Sequence, residues 1–90
     1  MMQPQFPLLI KLNLIDNCID NIEALTFIDA PMLSCIDLRD NCITQLKAFH
    51  KFKLHQLKLI YLSRNFIRTS EEFHVFGRCV LNNVEELYVF

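Results

Sequence analysis

The stretch from Leu33 to Ile43 reads L-S-C-I-D-L-R-D-N-C-I and sets the pattern for the whole chain. Its apolar residues and its asparagine follow the spacing L-x-x-L-x-L-x-x-N-x-L. The same spacing occurs before it, from Leu9 to Ile19, and after it, from Leu57 to Ile67. Five matched positions that recur twice predict an internal repeat.

The asparagines of the three stretches define the period of this repeat. They are evenly spaced, since 41 − 17 and 65 − 41 are both 24: Asn17, Asn41 and Asn65. Each follows an alternation of apolar and polar residues, such as Leu12-Asn13-Leu14, that is typical of a short half-buried strand. We expect the asparagine side chains to form a structural ladder, bonding backbone groups of neighbouring units.

Behind each asparagine the apolar residues recur every third position. Ile19, Ile22, Leu25 and Ile28 show this period, and the second unit repeats it from Ile43 to Phe52. A three-residue period favours 3₁₀ turns or a short helix. In the third unit, Ser70 is a predicted helix start and Gly77 a predicted helix end.

These motifs resemble the leucine-rich-repeat family. The runs D-N-C-I-T-Q-L-K-A-F-H-K-F and L-K-L-I-Y-L-S-R-N-F-I are similar to its intracellular repeats of the phosphatase-regulator and dynein-light-chain type, and to the A-prime-like repeats of the spliceosome. The resemblance implies an α/β fold: a leucine-rich-repeat solenoid with a parallel concave β-sheet, and with 3₁₀ turns and short helices on the convex side. This chain departs from the family in its units of 24 and 27 residues, in Ser70, and in its missing cap.

We interpret residues 1–90 as a single leucine-rich-repeat domain. Its units are unit 1 (about 9–32), unit 2 (33–56), unit 3 (57–83) and a partial unit (84–90) that lacks a C-terminal cap. An uncapped last unit exposes a strand edge. It predicts either a fragment of a larger repeat protein or, in a complete chain, self-association through Val84–Phe90.

In the predicted sheet, the outward residues of successive strands align in columns. One column is Lys11, Cys35, Leu59 and Glu86, the central one is Asn13, Asp37, Tyr61 and Tyr88, and the third is Ile15, Arg39, Ser63 and Phe90. Tyrosine and arginine anchors beside acids and apolar side chains are typical of a protein-binding surface. We expect a protein partner to bind these exposed concave residues: Lys11, Asn13, Ile15, Asp16, Asp37, Arg39, Asp40, Leu59, Tyr61, Arg64, Glu86 and Tyr88. A plain solvated sheet, with the partner on the convex side, is the alternative.

The sequence contains no catalytic or metal-binding pattern. His50, His55 and His74 have neither metal spacing nor a nucleophile motif beside them, and Glu71-Glu72 and Glu85-Glu86 are consecutive acids. We therefore expect no enzyme activity, no catalytic residue, no metal and no cofactor.

Charge and cysteine content narrow the remaining classes. The net charge is −1 and the basic residues are dispersed, so direct binding to nucleic acid is not expected. The longest apolar run is far below the roughly 20 residues that span a bilayer. The four cysteines show no disulfide pattern, although Cys18 and Cys42 share a column, which favours an intracellular location in cytoplasm or nucleus.

The function expected from these features is non-catalytic protein–protein recognition by a scaffold or adaptor. The resemblance to A-prime-like repeats implies an alternative, a ribonucleoprotein component that docks an RNA-binding protein and so meets nucleic acid only indirectly.

Overall fold

Four short strands form one parallel sheet in chain order. The computed structural model describes residues 5–51, 56–67 and 86–88, with His50 and the last three residues described by their backbone alone. The strands are β1 (Lys11–Asn13), β2 (Cys35–Asp37), β3 (Leu59–Tyr61) and β4 (Glu86–Tyr88). Two 3₁₀ helices, η1 (Glu23–Phe27) and η2 (Lys47–Lys51), follow β1 and β2. No α-helix occurs in the described ranges, and the helix predicted between Ser70 and Gly77 lies outside them.

The strand register confirms the two columns predicted within the strands. Lys11 pairs with Cys35, Cys35 with Leu59, and Leu59 with Glu86. The central column, Asn13–Asp37–Tyr61–Tyr88, follows the same register. Because strand partners are separated by 24, 24 and 27 residues in sequence, each unit adds one strand at a constant position.

Hydrogen bonds between successive units recur at the same positions. Leu14 N–H donates to Asp37 C=O at 2.8 Å, and Leu38 N–H donates to Tyr61 C=O at 2.9 Å. After the strands, Cys42 N–H donates to Ile19 C=O at 2.8 Å, and Phe66 N–H repeats this bond to Ile43 at 2.9 Å. Units 1 to 3 are therefore bonded to their neighbours in the same way.

The core lies on one side of this sheet, under its two central strands. Alternation turns the middle residue of each strand inward, and Ile36 and Ile60 are fully buried there. Leu46 and Phe49 close the core from the second 3₁₀ segment. The equivalent residues of unit 1 pack against this core but stay half-buried: Leu9, Leu12, Leu14 and Ile19.

The three-residue apolar period produces the 3₁₀ geometry that it predicts. In unit 1, Leu25 N–H donates to Ile22 C=O at 3.0 Å. In unit 2, Phe49 N–H donates to Leu46 C=O, also at 3.0 Å. Bonds that span three residues keep every third side chain on one side, where it reaches the core.

A left-handed residue at the end of each strand turns the chain towards the next segment. Asp16, Asp40 and Arg64 have φ of 58°, 58° and 59° and stand 24 residues apart. Aspartate tolerates this conformation better than most residues, and arginine does so less well. A fourth left-handed residue, Cys18 at φ 55°, occurs in unit 1.

Candidate functional site

The face of the sheet opposite the core carries the residues predicted to bind a partner. We call it the strand face. Its central strip consists of the outward residues of β1, β2 and β3, and its flank consists of the residues that follow those strands: Lys11, Asn13, Cys35, Asp37, Leu59 and Tyr61, then Ile15, Asp16, Arg39, Asp40, Ser63 and Arg64. The backbone places Glu86 and Tyr88 in the same columns on β4. Phe90 lies outside the described residues.

Asp37 is the centre of this face, and the expectation that it is exposed is wrong. Its relative exposure is 0%, although it points away from the apolar core. Arg39 folds back over it: Arg39 Nε lies 2.9 Å from Asp37 Oδ1, and Nη2 lies 2.6 Å from Oδ2. The alternation of the strand predicts the face correctly, but it does not show that a neighbouring side chain covers the carboxylate.

Arg39 is in turn stacked on a tyrosine from the next strand. Its guanidinium carbon lies 4.8 Å from the centre of the Tyr61 ring. The Arg39 side chain keeps 35% of its surface exposed, and its Nη1 atom forms no hydrogen bond with the described residues. The result is a rigid cation whose remaining donors face solvent.

The carboxyl group of Asp37 titrates under opposing influences. Burial tends to raise its pKa, but hydrogen bonds from the Arg39 side chain and backbone N–H outweigh burial. The positive charges of Arg39 and Lys11 act in the same direction, so the pKa of Asp37 lies below its usual range. Asp37 is therefore ionised at neutral pH and is not a proton donor.

A second ion pair flanks the strand face. Arg64 Nε lies 2.5 Å from Asp40 Oδ1, and Nη2 lies 2.9 Å from Oδ2. The hydrogen bond from Arg64 lowers the pKa of Asp40. Asp16 occupies the same position in unit 1, but its counterpart in unit 2 is an acid, and it makes no ion pair with the described residues. Arg64 is an exposed member of this pair, and exposed pairs contribute little stability.

The other predicted residues divide by exposure. Lys11 and Asn13 are exposed, and Ile15, Leu59 and Tyr61 are half-buried. Ser63, in the third column, is buried. Exposed polar groups thus surround a central strip in which Asp37 and Cys35 are covered, so a partner would meet the strand face through Arg39, Tyr61 and the rim.

Cys35 is a buried thiol beside Asp37 on β2. Burial raises its pKa, and the charge of Lys11 only partly opposes this. A raised pKa keeps the thiol protonated, which makes it a poor nucleophile. Cys18, Cys35 and Cys42 are all free, and Cys79 lies outside the described residues.

The asparagine side chains join neighbouring units beside this face. Asn41 Oδ1 accepts from the N–H groups of Asn17 and Ile19 at 3.0 and 2.9 Å, and Asn41 Nδ2 donates to Leu14 C=O at 2.9 Å. Asn65 repeats these bonds one unit later, to the Ile43 N–H and the Leu38 C=O. This is the arrangement expected for the ladder.

An open polar cleft lies elsewhere, between the 3₁₀ segments of units 1 and 2. Its volume is about 440 Å³, and it is lined by Asp20, Asn21, Ile22, Glu23, Thr44, Gln45, Lys47 and Ala48. The sequence analysis missed it, because its residues come from the variable positions behind the ladder. Glu23 is held there by Lys51, whose Nζ lies 3.1 Å from the carboxylate. Its lining has no nucleophile–base arrangement.

No cluster of three or more metal-ligating side chains occurs in the part of the chain that the structure describes. The described segments also include no helix of the length and apolarity needed to cross a bilayer. Of the three histidines, His55 and His74 lie outside the described residues. Comparison of the chain with protein-family models, curated proteins and solved structures finds no match.

Proposed function

We propose that this chain is a non-catalytic protein-binding module of the leucine-rich-repeat type, a solenoid whose concave side is the strand face. The repeated register and the recurring hydrogen bonds support the architecture. The free thiols support action in a reducing compartment, inside the cell. The partner is a protein domain or helix that docks against the strand face, for which the chain serves as a scaffold or adaptor.

The observation that carries this proposal is the Asp37–Arg39–Tyr61 cluster. Arginine and tyrosine are enriched among residues that dominate binding energy. Arg39 is already held by two carboxylate oxygens and an aromatic ring, so little side-chain freedom is lost when a partner binds. A preorganised, half-exposed cation beside an aromatic ring is suited to a carboxylate or a carbonyl group of a partner.

The chain itself supplies a variant that removes this cluster gently. Asn13 and Ile15 occupy in unit 1 the columns of Asp37 and Arg39, and Asn13 Oδ1 accepts the Ile15 N–H just as Asp37 accepts the Arg39 N–H. The double substitution D37N/R39I therefore copies unit 1 into unit 2. It removes the cation without leaving a buried carboxylate unpaired.

The test is an affinity pulldown with mass spectrometry on wild type and D37N/R39I. The matched control is E23Q/K51I, which removes one acid and one base from the 3₁₀ side. We expect proteins captured by wild type and by the control to be lost from D37N/R39I, while circular dichroism shows all three folded.

Two outcomes would contradict the proposal. A partner kept by D37N/R39I but lost from E23Q/K51I would move binding to the 3₁₀ side. A partner lost from wild type after nuclease treatment would instead place the chain in a ribonucleoprotein.

A further inference from the structure

The β1 edge of the sheet leaves apolar residues open that are closed in every later unit. At the first core position of each unit, Leu33 is 1% exposed and Leu57 is 2% exposed, whereas Leu9 is half-buried. The strand position repeats this contrast, since Ile36 and Ile60 are fully buried and Leu12 is not. The side chains are of the same type, so the difference arises because no described unit packs against the outer side of unit 1.

An exposed apolar corner lies at the start of this edge. Leu8 is 84% exposed and Ile10 is 59% exposed, with Met32 beside them in unit 2. Unit 3 carries Gln56 and Lys58 in the columns of Leu8 and Ile10. These columns therefore accept polar side chains, and the apolar residues of unit 1 are not required by the core.

The asparagine ladder is also open at this edge. Asn41 and Asn65 each bond backbone groups of the preceding unit, but Asn17 Nδ2 turns back to its own Ile15 C=O at 3.0 Å. Asn17 Oδ1 accepts no bond from the described residues. A preceding unit would present an N–H group to this oxygen.

The backbone of β1 is prepared for another parallel strand. Ile10 C=O and Leu14 N–H bond to unit 2, so the intervening Lys11 and Asn13 direct their peptide groups to the outer side. Unpaired edges of this kind are templates for a further strand.

We propose that the β1 edge docks the β4 edge of a second copy of this chain, extending the parallel sheet head to tail. β4 is at the opposite edge of the sheet order β1-β2-β3-β4, and it runs in the same direction as β1. Leu87 has the register position of Leu12, Ile36 and Ile60. A second copy thus supplies the parallel strand and the column spacing that β1 lacks. This inference concerns the sheet edge and is independent of partner binding on the strand face.

Head-to-tail contact is not closed by a two-fold axis, so it adds copies without a fixed limit. Sedimentation velocity and light scattering on the purified chain, over a wide concentration range, measure this directly. We expect the mean mass of wild type to rise steadily with concentration and to pass the mass of a dimer.

Two variants test the edge by different routes. L8Q/I10K copies unit 3 into the corner, and Lys11→Pro removes an outward N–H from an edge strand, where proline is tolerated. We expect both to stay monomeric at concentrations where wild type assembles. The control, Phe66→Lys, changes an exposed apolar residue of unit 3 and should assemble like wild type.

Three results would overturn the proposal. One is a wild-type mass that stays monomeric throughout the concentration range. Another is a plateau at a dimer, which would indicate two-fold pairing of β1 edges. The third is assembly in which L8Q/I10K and Lys11→Pro match wild type while folded by circular dichroism.

Discussion

Asp37 and Arg39 show how two residues two positions apart can cover a charge on the outer face of a sheet. The carboxylate accepts from Nε, from Nη2 and from the Arg39 backbone N–H, the last at 3.2 Å. Because all these donors belong to Arg39, the arrangement is local and forms as soon as the strand and its turn form. Tyr61 then adds the contact that ties it to the next strand.

This arrangement predicts an acid-dependent loss of stability. The folded-state pKa of Asp37 is lowered, so its contribution is complete above the ordinary carboxyl pKa of about 3.9 and is lost as pH falls through the lower folded value. We expect the free energy of unfolding of wild type to fall below about pH 4, and that of Asp37→Asn to fall less steeply. Urea unfolding at several pH values measures both slopes. Parallel slopes for the two proteins would contradict the role given to this pair; Asp40, also lowered, accounts for the slope that Asp37→Asn retains.

Asn41 is the residue with the most bonds across a unit boundary. Asn41→Ala leaves the N–H groups of Asn17 and Ile19 without their acceptor, at a cost of about 1–3 kcal/mol in unfolding free energy for a buried group. Asn17→Ala is the matched control, because this exposed asparagine bonds only within its own unit, and it should cost less than half as much. Urea unfolding compares them, and equal costs would argue against the ladder as a stabilising element.

At the scale of the element, strands of only three residues are kept in place by what lies beneath them. β2 and β3 have neighbours on both sides, and their inward residues are fully buried. β1 has one neighbour among the described strands, and its inward residue is half-buried. The sheet should therefore be most stable in its two middle strands.

Truncating one core column in two units measures this gradient. Leu38→Ala removes a fully buried side chain and should lower the free energy of unfolding by about 2–5 kcal/mol. Leu14→Ala makes the same change at the half-buried position of unit 1, where water fills the space, so it should cost about half as much or less. Unfolding at a low protein concentration keeps self-association from protecting Leu14. A cost at Leu14 equal to that at Leu38 would show that unit 1 is covered.

At the scale of the whole molecule, the sequence predicts what depends on spacing and does not predict what depends on neighbours. The 24-residue spacing of the asparagines predicts the strand register, and the three-residue period predicts the 3₁₀ segments. Alternation assigns Asp37 to the correct face but cannot show that Arg39 covers it. The open β1 edge is also hidden, because Leu12 and Ile36 look alike in sequence and differ only in what packs on them. The short helices expected behind unit 3, and the end of the chain after Tyr88, lie outside the described residues.

The constant register also determines which changes of chain length this architecture tolerates. Leu14 N–H bonds Asp37, and Leu38 N–H bonds Tyr61 in the same way. Excision of residues 33–56 as one block would therefore present Tyr61 to Leu14 with the same bonding groups, and the sheet would close over the gap. Loss of a single residue between Asn17 and Asn41 would instead shift every later core side chain against the ladder. In genetic terms, the chain is built to lengthen or shorten by whole units and to resist frame-preserving changes of any other size.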